Sequence, residues 1–138
     1  MRARRLVLSA LALVLALGGC GQIQDALELQ QGLAEEFGTE DVTIDFTRAG
    51  ELTVQFTNWP AERPGADEQA RTARRVGEYV RDHYPRFDSL SAVLVSFGWE
   101  QAGVTTTEEP FRFTRDELRR PASDAAADTS GGGDQPPD

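Results

Sequence analysis

Two stretches near the middle of the chain alternate apolar and polar residues with period two. Val42, Ile44 and Phe46 alternate with Thr43, Asp45 and Thr47; Leu52, Val54 and Phe56 alternate with Thr53, Gln55 and Thr57. β-Branched and aromatic residues in that rhythm predict two strands. The apolar positions are even-numbered in both, so partners on one face must sum to an even number. A three-residue loop, Arg48-Ala49-Gly50, meets this condition with Gly50 left-handed at a G1 bulge. It sets Phe46 opposite Leu52, Ile44 opposite Val54 and Val42 opposite Phe56, whereas a two-residue loop would set apolar against polar.

Helical periodicity flanks this hairpin. Over Gln22–Phe37, Ile23, Ala26, Leu27, Leu33 and Phe37 recur at helical spacing, and Gly38 suits the position after a helix end. Over Asp67–Tyr84, Ala70, Ala73, Val76, Gly77, Val80 and Tyr84 share one face. Arg71, Arg74, Arg75, Glu78, Arg81 and Asp82 cover the other, and Pro85 ends the run. Ser91–Trp99 is a nearly continuous apolar strand. Weaker alternation over Val104–Thr114 predicts a fourth strand, bulged, broken or at an edge around Pro110. Thr114 and Glu117 have capping-box spacing for a short terminal helix. The expected architecture is α+β: a two-layer sandwich of order αββαββ, a four-stranded, mainly antiparallel sheet with two helices on one face. That order is a circular permutation of the ferredoxin-like βαββαβ sandwich, and fold alone licenses no function.

The first twenty residues follow a different logic. Arg2, Arg4 and Arg5 precede an apolar run, Leu6 to Leu17, of 12 residues. A spanning helix needs about 20, so the run reads as the core of a signal peptide. Leu17-Gly18-Gly19-Cys20 follows, and on these residues the chain resembles a bacterial lipoprotein precursor. The resemblance covers residues 1–20 only. It implies cleavage between Gly19 and Cys20 and a diacylglyceryl group on the Cys20 thiol. It also implies a cell-envelope location anchored in the membrane by lipid, the outer membrane where the host has two. Cys20 is the only cysteine in the chain, and it falls where a lipobox requires one. The expected organisation is a signal peptide over 1–19, a lipidated Cys and minimal tether at 20–21, one α+β domain over 22–120, and an acidic disordered tail over 121–138. The tail has four Asp, a triple glycine and no large apolar residue.

Charge narrows the partners. The 138 residues hold 14 basic side chains, all arginine, against 23 acidic ones, for a net charge of −9. Cleavage before Cys20 would remove three arginines and leave −12. An acidic chain without a basic patch argues against nucleic acid and against recognition of anionic headgroups. One Cys and one His cannot build a structural zinc site, no EF-hand spacing is present, and neither metal nor cofactor is expected.

Little else points to chemistry. His83, the sole imidazole, sits in the last turn of the second helix, where a positive charge suits the dipole. The acidic pairs Glu35-Glu36, Glu40-Asp41, Asp67-Glu68 and Glu108-Glu109 read as solvated charge, and Ser89 and Ser91 lack a nucleophile elbow. No catalytic motif is present, so an enzyme is not expected. Trp59 and Trp99 each follow a strand. If the second helix returns the chain in the same direction, both emerge at one edge of the sheet, as a ligand or partner edge or as lids on the core. The sheet's second face would carry Thr43, Asp45, Thr53, Gln55 and Arg112, with an Asp45–Arg112 pair across it. This face is either solvated or a partner surface. The reading is a small, non-catalytic, membrane-anchored envelope lipoprotein serving as an interaction module for another envelope protein. The alternative is a lipoprotein that binds a saccharide, a peptidoglycan fragment or another small ligand at the Trp59/Trp99 edge.

Overall fold

The computed structural model describes residues 21–122. The expected signal peptide and Cys20, and the tail from residue 123, lie outside the described residues. Helix α1 spans 21–37. It ends as its glycine suggests: Gly38 is left-handed (φ +66°) and the Thr39 amide donates to the Ala34 carbonyl at 3.0 Å. Strands β1 (Val42–Phe46) and β2 (Glu51–Thr57) form the hairpin. Their register pairs Phe46 with Leu52, Ile44 with Val54 and Val42 with Phe56, and Gly50 takes φ +76°.

Helix α2 (Ala66–His83) carries the chain back, and a 3-10 turn (Phe87–Ser89) leads into β3 (Ala92–Gln101). Strand β3 lies parallel to β2, with Leu52 beside Val93, Val54 beside Val95 and Phe56 beside Phe97. The predicted fourth strand is present as two pieces, β4 (Val104–Thr107) and β5 (Phe111–Thr114), both antiparallel to β3. Val95 pairs with Phe111 and Gly98 with Thr107, so three residues, Glu108 to Pro110, oppose two on β3. One extra residue on one strand is a bulge, and it contains the proline that has no amide to offer. Helix α3 (Arg115–Arg119) completes the chain, and its capping box forms as expected. The Thr114 amide donates to the Glu117 carboxylate at 2.6 Å, and the Glu117 amide to the Thr114 hydroxyl at 3.3 Å.

The fold is therefore α+β, an open mixed sheet in which the β4/β5 row follows β1-β2-β3 in chain order. Strands β2 and β3 are immediate neighbours in a parallel β2-α2-β3 unit. The ferredoxin-like sandwich splits its βαβ units with an intervening strand, so the sheet order departs from the permuted version of that fold. Both long helices pack on one face. Leu29, Leu33 and Phe37 of α1 and Ala73, Val76 and Val80 of α2 join Val42, Leu52, Val54, Phe56, Val93, Val95 and Phe97 in one core.

Three expectations for the helix faces need correction. Ile23 and Leu27 of α1 are 65% and 53% exposed, because the helix meets the core through Leu29, Leu33 and Phe37. On α2, Ala70 is exposed and Gln69 is buried in its place, its amide reaching the Pro64 carbonyl at 3.3 Å. Arg74 and Arg81 do not simply cover a solvated face. They donate to the carbonyls of Glu117, Leu118 and Arg120 and so satisfy the last turn of α3.

Candidate functional site

The parallel β2/β3 pair brings both tryptophans to the same end of the sheet. Thr57 is level with Gly98, so Trp59 and Trp99 leave the two strands side by side. Asn58, left-handed at φ 54°, ties the ends together: its amide donates to the Gly98 carbonyl and its side-chain oxygen accepts from the Glu100 amide. The Trp59–Pro60 peptide is cis. Trp59 packs edge-on against Phe37 at 5.6 Å and lies 5.0 Å from Phe56, closing this end of the core. Trp99 donates from its indole nitrogen to the Pro60 carbonyl at 2.9 Å and sits 6.2 Å from Phe97. The Arg63 guanidinium covers it at 5.6 Å and pairs with Glu108. Trp99, Arg63 and Glu108 border a hollow of about 390 Å³, with Asn58, Glu100 and Thr106 around them. Trp59 does not line it. The two rings share an end of the sheet without forming a joint aromatic platform.

The second face of the sheet carries the other residues singled out. Thr43, Gln55 and Ser96 lie in one cross-strand row, and Asp45, Thr53, Leu94 and Arg112 in the next. Both long helices occupy the opposite face, so neither covers these rows. Along β3 the residues here are short apart from Leu94: Ala92, Ser96 and Gly98, each buried by its neighbours. The expected Asp45–Arg112 pair is absent. Three strand spacings of ~4.8 Å separate the two positions, and the Asp45 carboxylate accepts instead from the Phe46 amide at 2.8 Å. Arg112 reaches across β3 to Glu51, 3.0 Å away. Glu51 precedes the alternation that marked β2 in the sequence and was not singled out there. What identifies it as the partner is the β2–β3 register, which only the long-range pairing supplies.

His83 ends α2. Its ring stacks on Tyr79 at 3.9 Å, and Nδ1 lies 3.0 Å from the Tyr79 carbonyl oxygen. Two of the carboxylates around it have other partners: Asp82 holds Arg81, which keeps its carboxyl below the usual range, and Glu78 holds Arg74; Glu36 lines the same hollow. Burial, reinforced by Glu36 and Glu35, pushes the Tyr79 phenol up, so it remains protonated at neutral pH. Among the described residues His83 is hydrogen-bonded within its own helix, to the Tyr79 carbonyl, and to no carboxylate.

A feature that the sequence pattern misassigned lies beside β1. Ile23, Ala26 and Leu27 of α1 and Ile44 and Phe46 of β1 line a hollow of about 460 Å³, with Gln22 and Gln30 completing it. The Gln30 side chain donates to the Val42 carbonyl at 2.8 Å and so closes one position of the free β1 edge. Ile23, Ala26 and Leu27 belong to the same helical arc as Leu33 and Phe37, and what separates them is position along the axis: the core meets the later turns of α1 and leaves the first ones beside the hollow.

Among the described residues, no cluster of three His, Cys, Asp or Glu side chains is placed to hold a metal, and no helix is long and apolar enough to cross a membrane. No protein family, characterised protein or solved structure gives a significant match to the chain.

Proposed function

We propose that this protein is a lipid-anchored, non-catalytic module of the cell envelope, tethered through Cys20, that docks a partner protein on the uncovered face of its sheet. The observation that carries the reading is that face itself. Thr43, Thr53 and Gln55 give it exposed or half-exposed hydrogen-bonding groups on short or medium side chains, while buried Ala92, Ser96 and Gly98 form a floor along β3 on either side of Leu94. Such a surface offers polar groups of the kind that pair across the hydrogen-bonded part of a non-obligate interface.

A photo-crosslinking amino acid at Thr53 tests it in cells that make the full chain, with Arg71 on the solvent side of α2 as the comparison site. The expected result is one discrete protein adduct from position 53 and none from position 71. Equal adducts from both positions, or none from either, refute the docking face. Cys20→Ser should release the chain from the membrane fraction and remove its acyl label.

A second reading draws on the hollow beside Trp99. A saccharide or peptidoglycan fragment could stack on that indole once Arg63 swings off it. Titration with muropeptides would then change Trp99 emission, and Trp99→Phe would abolish the change. An unchanged spectrum at saturating ligand eliminates this alternative.

A further inference from the structure

The apolar hollow beside β1 is lined by no charged residue, unlike three other hollows on this surface. The hollow at Trp99 contains Arg63, Glu100 and Glu108, the one at His83 contains Glu36, Arg75, Glu78 and Asp82, and the one beyond α1 contains Glu35 and Glu40. In a chain with 23 acidic residues, a surface lined by Ile23, Leu27, Ile44, Phe46 and two glutamines is a local exception. Helical geometry of 3.6 residues per turn, ~100° per residue, puts Ile23, Leu27 and Gln30 on one stripe. Asp25 and Glu28 project from other sides of α1, and Asp25 is neutralised by Arg86 at 3.0 Å.

The position of this patch along the chain indicates what covers it. Helix α1 is already formed at residue 21, so no linker separates it from Cys20. At ~1.5 Å rise per residue, Ile23 lies about 3 Å and Leu27 about 9 Å along the axis from Gly21, the residue that follows Cys20 in the chain. Acyl chains on that cysteine would hold this end of the helix at the bilayer surface, where exposed isoleucine and leucine gain by leaving water. We propose that the stripe of Ile23 and Leu27, with Ile44 and Phe46 beneath it, is a membrane seat: it rests in the interfacial layer of the bilayer and fixes the orientation of the lipid-anchored domain. The proposal depends on the tether at Cys20. Its attraction is apolar, so the overall acidity that opposes headgroup binding does not oppose it, and neutral lipid suffices.

The test uses the full lipidated chain reconstituted into phosphatidylcholine vesicles that contain nitroxide-labelled phospholipid. A fluorescent amino acid is placed at Leu27 in one preparation and at Arg71, on the exposed side of α2, in another. Acylation of Cys20 is read by mass in both. The seat predicts at least threefold stronger quenching at position 27 than at 71, and loss of that difference in Ile23→Ser/Gln24→Glu with the label still at 27. Acylated protein quenched equally weakly at both positions overturns the seat and leaves the tether standing. Blue-shifted emission at 27 without nitroxide quenching, together with a crosslinked dimer, overturns it in favour of a second copy of the chain. Protein with no acyl group on Cys20 overturns tether and seat together.

Discussion

Single residues decide the turns of this fold through backbone conformation. Gly50 is left-handed, and a Cβ built there would find only ordinary contacts, the nearest 3.8 Å away at the Ser89 carbonyl. The demand is therefore conformational and not steric crowding. Gly50→Val should destabilise the domain by about 1–2 kcal/mol, because a β-branched residue resists positive φ. A thermal melt checks this, and an unchanged Tm contradicts the bulged loop. The β3–β4 turn has the opposite problem. Ala102 and Gly103 occupy φ 54° and 79°, the signature of a type I′ hairpin, yet alanine tolerates that region poorly. Ala102→Asn should stabilise by up to about 1 kcal/mol and raise Tm by a few degrees.

At the scale of elements, α3 is five residues long, too short to form alone. It is held by its cap, by arginines from α2, and by Leu118, which is fully buried against Gly77. A Cβ at Gly77 would stand 2.8 Å from Leu118 Cδ2 and 3.5 Å from Phe113, so Gly77→Val should lose about 1–3 kcal/mol through overpacking. Chemical denaturation with an unchanged m-value is the check. The cap adds a pH signature. The hydrogen bonds that Glu117 accepts from Thr114 hold its carboxyl below the ordinary glutamate range. Its contribution is thus complete above that range and fades as the pH falls through the depressed folded-state value. Thr114→Ala should cost about 1 kcal/mol at neutral pH, and its deficit relative to the unaltered chain should shrink in acid. A deficit constant down to low pH would show that Glu117 is not part of the cap's contribution.

For the whole molecule, stability and surface separate cleanly. The core is closed by β2, β3 and the inner faces of the two long helices, while the proposed partner face and the apolar stripe lie outside it. Ile23→Ser/Leu27→Ser should leave the melting temperature within the range of ordinary surface substitutions, about ±0.5 kcal/mol. A clear loss of stability would place these side chains in the core after all. The exposed isoleucine and leucine lie near the start of α1, ahead of the turns that carry Leu29, Leu33 and Phe37 into the core.

Local physics made much of this legible in advance. Parity of apolar positions was enough for the β1–β2 register, because a one-residue slip turns every side chain to the wrong face. Pro110 foretold the break between β4 and β5 because it has no amide to donate, and the Thr114–Glu117 spacing foretold the cap. What remained undetermined was nonlocal. The position of β3 directly beside β2, the replacement of Asp45 by Glu51 as the partner of Arg112, and the exposure of Ile23 and Leu27 all depend on which elements become neighbours. Periodicity marks a residue as able to be buried; whether something arrives to bury it is settled only when the chain closes on itself. Here the sequence determined the elements and the register of the first hairpin, because both follow from local periodicity and parity, and the tertiary structure decided which apolar side chains of the helices became core and which were left facing out, because that depends on which elements meet.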